Sequence, residues 1–317
     1  MYLLTGASGF IGSHITQELS AQGASVNFNV REAPNNWVSV HPGFRWYVVG
    51  AINSQTDWLL ALKGVQTVLH CAARVHVFHE HASDALASYR EVNVAGTLRL
   101  AQQAAAVGVK RFVFLSSIGV NGNQSKLPFT ETSEPYPHDA YAISKLEAEQ
   151  ALLALAVQTG MEVVIIRPPL VYGPGAPGNF GSMVRWLQRG YPLPLAAVHN
   201  QRSLVALDNL VSLVLLCADR VRSPQAANQV FLVADGEDVS TSTLLRKVAR
   251  AAGRPSRLLP VPSSWLQAGA SLFGKRAVAD RLLGNLQVDA TKARRLLGWR
   301  PVVTMDEQLA KMFKQKD

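Results

Sequence analysis

Tyr141 and Lys145 stand four residues apart in "YAISK", and upstream of them Ser117 closes the apolar run "FVFLSS". On a helix, positions i and i+4 share a face, so the Lys145 ammonium can lie close to the Tyr141 phenol. A neighbouring cation lowers a phenol pKa that is ordinarily about 10, and Tyr141 then becomes a proton donor or acceptor near neutral pH. Ser117, at a strand end, offers a hydroxyl that could hydrogen-bond a ligand outside the sheet. With seven Tyr and ten Lys in 317 residues, such a pair arises by chance about 0.2 times. An ordinary surface Tyr and Lys on an amphipathic helix is therefore the competing reading, and context must decide.

The second such feature is "TGASGFIG" at residues 5–12, with Gly6, Gly9 and Gly12 directly after the apolar "YLL". Its spacing is GxxGxxG, not GxGxxG. At the end of a first strand, Gly6 permits a tight turn, Gly9 lets a pyrophosphate approach the backbone, and Gly12 lets the following helix pack close to the strand. The helix start offers free N–H groups and a positive dipole end, which suit an anion. A structural turn without a ligand is the bland alternative.

These residues need elements to hold them. A helix is expected from about Ile11 to Gln22, and strands at "SVNFNV", "RWYVVG", "TVLHCAA", "RFVFLSS" and "EVVIIRP". Between them lie helical stretches, including "VAGTLRLAQQAAAVG" and "AISKLEAEQALLALAVQTG". That alternation predicts an α/β chain with a doubly wound parallel sheet. After Arg167, "PPLVYGPGAPGNFGS" is too rich in Pro and Gly for regular structure. The expected division is a dinucleotide-binding domain over 1–168 plus about 203–239, and a smaller C-terminal substrate-binding domain from 169–202 plus about 240–317.

In this order, "TGASGFIG", "VLHCAA", "EVNVAGT", "FVFLSSIGVNG", "PFTETSEPYPHDAYAISK", "IIRPPLVYGPG" and "RSLVALDNL" resemble the extended short-chain dehydrogenase/reductases, the NAD-dependent epimerase/dehydratase family of nucleotide-sugar enzymes. The resemblance covers nearly the whole chain and implies a Rossmann fold, a nicotinamide dinucleotide and a UDP-sugar substrate. It implies Ser117, Tyr141 and Lys145 as the catalytic set, with an oxidised nicotinamide assisting the Lys145 cation. The cofactor contacts it implies are Gly6, Gly9, Phe10, Ile11, Gly12, Ala72, Ala73, Asn93, Tyr141, Lys145 and Pro168. Asn93 has an equal alternative as a helix N-cap. Asn179 and Arg202 match positions that hold the sugar nucleotide and its diphosphate, and Arg281 is a second clamp whose spacing matches less well. Arg suits a diphosphate because its planar fork gives two parallel bonds.

Departures from the family pattern bear on the reaction. Val30 stands where an acidic residue usually holds the ribose 2′-hydroxyl, Arg31 follows it, and Ala51 replaces a second acid. An Arg without a competing acid accommodates a 2′-phosphate, so NADP(H) is favoured over NAD(H), although Glu32 and a plain surface role for Arg31 stand against it. "SSIGVNG" lacks the acid–base pair that follows the catalytic Ser in dehydratases of this type. The overall run resembles the subgroup of bacterial O-antigen synthesis. The leading expectation is reduction of the C4 ketone of a UDP-4-keto-6-deoxy-N-acetylhexosamine. The alternative is a UDP-glucose or UDP-N-acetylglucosamine 4-epimerase, and a non-catalytic redox-sensing module is the reading from a different class.

Composition narrows the rest. The chain carries a formal charge of +9, yet residues 1–239 hold 16 Lys and Arg against 17 Asp and Glu, and residues 240–317 hold 15 against 5. A solvated basic surface is the expectation, and no nucleic-acid module accompanies it. Cys71 and Cys217 lie in apolar segments and form no framework, and no apolar run reaches the roughly 20 residues of a membrane span, so a reducing, cytoplasmic setting is expected. His76, His79 and His81 lack companion ligands, and no metal is expected. "SSWLQAGASLFGKR" reads as a helix of the substrate domain before a membrane-touching segment. The long helices resemble those that form a four-helix homodimer contact in the family.

Overall fold

The computed structural model describes residues 1–32, 42–75, 82–274 and 276–314, apart from the side chains of 82–84, 179 and 277. Nine strands are present among them: β1 (Tyr2–Thr5), β2 (Val26–Val30), β3 (Phe44–Val48), β4 (Thr67–His70), β5 (Arg111–Leu115), β6 (Glu162–Arg167), β7 (Leu170–Tyr172), β8 (Leu204–Ala206) and β9 (Gln229–Leu232). The helices are α1 (Phe10–Ala21), α2 (Ala82–Arg90), α3 (Thr97–Ala106), α4 (Ala140–Thr159), α5 (Gly178–Gln188), α6 (Leu207–Ala218), α7 (Thr241–Ala251), α8 (Ser263–Leu272), α9 (Arg276–Leu283), α10 (Thr291–Leu297) and α11 (Met305–Phe313).

Seven strands form one parallel sheet in the order β3-β2-β1-β4-β5-β6-β9. This is a Rossmann-type α/β fold. Side chains alternate between sheet faces along each strand. Leu3, Phe112, Phe114, Val163 and Ile165 therefore enter the core under α3 and α4, whereas Leu4, Val113, Leu115, Val164 and Ile166 enter the core that includes residues of α1 and α6. The chain order reverses between β1 and β4, and ligands of open α/β sheets bind outside the strand ends at such a point.

A third core joins Tyr172, Phe180, Val184, Leu204, Leu245, Val248, Met305 and Leu309, so β7, α5, β8, α7 and α11 build a separate lobe beside the sheet. The Pro- and Gly-rich stretch after Arg167 is more regular than expected. β7 pairs with β8 in a two-stranded parallel sheet, and α5 begins inside the same stretch at Gly178. Prolines at its other positions leave room for both elements. β9 returns to the main sheet at its far edge.

α2 and α3 run on through Glu91–Gly96, which winds as a π-helix. Such turns occur mostly at functional sites, and this one carries Asn93.

Candidate active site

The glycine turn is built from backbone constraints. Gly6 has φ +73°, which L side chains rarely adopt, and a Cβ there would lie 2.8 Å from the Ala72 nitrogen. A Cβ on Gly12 would lie 2.1 Å from the Gly6 carbonyl oxygen, so α1 packs against the turn itself more closely than any side chain allows. Gly9 is the N-cap of α1, contributes no side-chain cap, and is followed by no acidic residue in the first turn. The N–H groups of Phe10 and Ile11 thus start the helix without a competing carboxylate, as an anion site requires. This cradle fits the pyrophosphate of a dinucleotide. Ala72 and Ala73 follow β4 at the wall of the same turn.

Beneath the turn lies a buried polar relay absent from the expectations above. The Ala72 N–H donates to Thr5 Oγ1 at 3.2 Å, Thr5 Oγ1 meets His70 Nδ1 at 2.7 Å, and His70 Nε2 meets Thr97 Oγ1 at 2.9 Å. A neutral His70 donates through one ring nitrogen and accepts through the other, so the Thr5 and Thr97 hydroxyls close the relay in either tautomer. Burial, aided by the Lys145 cation, lowers the His70 pKa to about 3, in keeping with a neutral ring. The relay fixes the ends of β1 and β4 to α3.

α4 presents the candidate catalytic pair, Tyr141 and Lys145. Asp139 is its N-cap: Oδ1 accepts the Ala142 N–H at 2.8 Å. Lys145 is buried, donates to the Leu115 carbonyl at 2.8 Å, and holds its ammonium 4.3 Å from the Phe114 ring centroid and 6.0 Å from that of Tyr141. Burial pulls its pKa down to about 8, opposed by Cys71 and Glu149. Burial pushes the Tyr141 phenol up, with Asp139 and Tyr89 adding to the rise. In the protein without its cofactor, the ammonium is anchored to Leu115 and desolvation of Tyr141 dominates.

Ser117 follows β5 and caps a short 3₁₀ turn, Ile118–Val120, accepting the Gly119 N–H at 3.1 Å. Its neighbour Ile118 donates its N–H to the Pro168 carbonyl at 2.9 Å, which brings the end of β6 to the serine. A Cβ on Gly119 would lie 3.3 Å from both Ser117 Oγ and the Ala142 Cβ. The serine loop and the first turn of α4 are therefore in contact. No carboxylate lies in the 3₁₀ turn.

A second buried network supports this corner. Ser116 Oγ donates to Glu149, Arg167 Nη2 reaches Glu149 Oε2 at 2.5 Å, and Arg167 Nη1 donates to Asn121 Oδ1 at 3.0 Å. Glu149 stands one helical turn after Lys145 on the same face of α4. The i+4 spacing from Lys145 in "KLEAE" is the sequence signal for its place on that face.

Asn93 is neither an N-cap nor an exposed side chain. It is buried inside the π-turn; its Oδ1 accepts the Arg74 N–H at 2.8 Å, and Nδ2 donates to the Arg74 carbonyl and to Ser144 Oγ, each at 3.0 Å. It ties the loop after β4 to the catalytic helix. Arg31 stands exposed just beyond the end of β2, with Val30 half-buried before it. Arg202 Nη1 donates to the Gly284 carbonyl at 3.0 Å, and burial lowers its pKa. Arg281 Nη2 lies 3.2 Å from Asp139 Oδ2. Both arginines thus gather about the end of α9, and Arg281 reaches the start of the catalytic helix. The Asn179 side chain and His76, His79 and His81 lie outside the described residues. Among the described residues no cluster suits a metal ion, and no helix is long and apolar enough to cross a membrane.

Residues 2–234 match the model of the NAD dependent epimerase/dehydratase family. The chain is 46% identical to a UDP-glucose 4-epimerase of Vibrio cholerae, over 99% of this chain and 95% of that protein. It is 28% identical to the N-acetyl-alpha-D-glucosaminyl-diphospho-ditrans,octacis-undecaprenol 4-epimerase of Escherichia coli O157:H7, over 92% of this chain and 87% of that one. Its fold is similar to that of the UDP-glucuronic acid 4-epimerase from Bacillus cereus in complex with NAD, with a TM-score of 0.79, 19% identity, and coverage of 98% and 94%.

Proposed function

The chain belongs to the NAD dependent epimerase/dehydratase family, and from that premise we propose that it interconverts the C4 epimers of a UDP-hexose or UDP-N-acetylhexosamine with a retained NAD(H). The observation that carries this reading is the 46% identity, over almost the full length, to a protein named UDP-glucose 4-epimerase. The comparisons thus favour the epimerase alternative over the 4-ketoreductase expectation. Family membership of an enzyme that keeps Ser117, Tyr141 and Lys145 sets aside the non-catalytic sensing module. Reduction of a 4-keto sugar with NADPH stands second, on the one observation that favours it: Arg31, and no carboxylate, ends β2.

The glycine turn, Ala72 and Ala73, with Asn93 setting the loop after β4, would hold the dinucleotide. When bound, that group supplies reversible two-electron chemistry at C4. Tyr141, as the phenolate, takes the C4 hydroxyl proton and, as the phenol, returns it to the same oxygen. Ser117 donates a hydrogen bond to that oxygen and keeps it beside Tyr141. Lys145 supplies fixed positive charge that favours the phenolate. Arg202 and Arg281, with Asn179, hold the diphosphate and nucleotide, Arg281 exchanging its Asp139 partner for phosphate oxygens. A homodimer through the outer faces of α3 and α4 belongs to the same proposal.

Incubating the protein as purified, without added cofactor, with UDP-galactose and separately with UDP-N-acetylgalactosamine tests the reading. Appearance of the gluco epimer by NMR supports it. Absence of isomerisation, together with NADPH-dependent reduction of a UDP-4-keto-6-deoxy sugar, would replace it with the ketoreductase.

A further inference from the structure

α8 has an outward face that nothing among the described residues covers. Trp265 and Leu272 stand at i and i+7, so they lie along one side of the helix, Ala268 borders that side where the crevice begins, and Phe273 caps the helix next to Leu272. Trp265 is 72% exposed, Leu272 83% and Phe273 76%. Single exposed apolar side chains are ordinary, but three large ones in a row on one helix mark an interaction surface. The other sides of α8 are accounted for. Leu266 packs on the lobe core, and Ser264, Gln267 and Ser271 turn toward Arg276 and Asp280 across a polar crevice of about 430 Å³ between α8 and α9.

The surrounding charge is mainly basic, with Asp280 the acid that lines the crevice. Residues 163–207 and 239–279, which supply most of this lobe, contain no Asp or Glu at all. Arg185, Arg189, Arg254, Arg257 and Arg276 are exposed. The segment leading into α8 carries this charge to the patch: Leu193 and Leu259 exchange backbone hydrogen bonds with the Arg257–Leu259 and Leu193–Ala196 stretches, and Arg257 donates to the Gly190 carbonyl at 3.3 Å, beside exposed Tyr191. An exposed Trp and Leu on the helix and a Phe at its end, with Arg257 and Arg276 nearby and Asp280 turned into the crevice, match the apolar interior and anionic headgroups of a lipid surface. A face for a second copy of this chain would bring the arginines around α8 against one another, since residues 239–279 carry no acid to pair with them.

We infer that α8 docks this protein peripherally on an anionic phospholipid bilayer, with Trp265, Leu272 and Phe273 entering the headgroup boundary and Arg257 and Arg276 facing the lipid phosphates. The helix is too short to span and lies in the interface plane. The catalytic groups take no part in the contact, so catalysis on a soluble substrate proceeds without it.

Co-sedimentation of the full chain with vesicles tests this. Binding is expected to vesicles containing phosphatidylglycerol, to fall with added salt, and to be weak for phosphatidylcholine alone. Trp265→Ser with Leu272→Ser and Phe273→Ser should weaken binding by at least about tenfold, and Arg276→Gln by about fivefold, with turnover of soluble UDP-sugar and thermal stability unchanged. No binding of the wild-type protein to either vesicle, or equal binding of the triple variant, would overturn the inference. So would a dimer, detected by light scattering without lipid, that the triple variant dissolves.

Discussion

Lys145 Nζ donates to the Leu115 carbonyl at 2.8 Å, which pins the cation of the catalytic helix to the strand end two residues before Ser117. Burial holds that ammonium at about 8 instead of its usual 10.5. Its charge is present below that value and lost as pH rises through it. Turnover that depends on the cation should therefore decline above about pH 8, and a pH–rate profile at saturating substrate measures this. A profile that stays level well into the alkaline range would separate Lys145 from the proton transfer. Lys145→Met should also weaken dinucleotide retention, read from the nucleotide released on denaturation.

Tyr141→Phe should lower turnover by about 10² to 10⁴, the usual worth of a general acid or base, with little change in UDP-sugar binding by calorimetry. The phenol also packs edge-on to Tyr89 at 6.2 Å, and Phe preserves that contact. Near-wild-type turnover would remove Tyr141 from the mechanism.

Glu149→Ala leaves the Arg167 guanidinium buried without its carboxylate, and breaking such a pair costs about 3 to 5 kcal/mol of folding stability. Urea denaturation reads the loss. The double change Glu149→Leu with Arg167→Met should recover much of it, because no buried charge is then left alone. A single variant as stable as wild type would show that the network contributes nothing.

His70 is folded in its neutral form, with a pKa of about 3 against 6.5 in a free side chain. As pH falls below 6.5, the unfolded chain takes up a proton that the folded protein refuses until about 3, so stability is present above 6.5 and is lost progressively through that window. The denaturation midpoint of the wild-type protein should drop between pH 7 and pH 5 more steeply than that of His70→Gln. Parallel slopes would mean that another group governs acid lability.

What the sequence disclosed followed local chemistry. The strand runs around Leu4, Leu69 and Phe114 and the Gly6, Gly9, Gly12 turn are set by short-range pattern, and the sheet and the cradle both formed at those positions. Ser117, Tyr141 and Lys145 were legible because helix spacing and a strand end are local as well. The Thr5–His70–Thr97 relay and the Glu149–Arg167 pair were not, since their partners are brought together by the fold and no spacing links them. The same holds for Asn93, whose role needed the π-turn, and for Arg281, whose contact with Asp139 crosses from one lobe to the other. For the phenol, spacing reveals the neighbouring charge but not the burial that opposes it.

The central claim is that hydride leaves C4 and returns to C4 of the same sugar within one site. UDP-galactose deuterated at C4 tests it most directly, incubated with protein as purified and no added cofactor. The account predicts conversion to UDP-glucose with deuterium kept at C4, no net change in nicotinamide absorbance, and NAD released on denaturation; the N-acetylated pair should behave alike if that is the preferred sugar. Loss of the deuterium, or failure to isomerise either sugar while a 4-keto-6-deoxy sugar is reduced with one NADPH consumed per product, would contradict it.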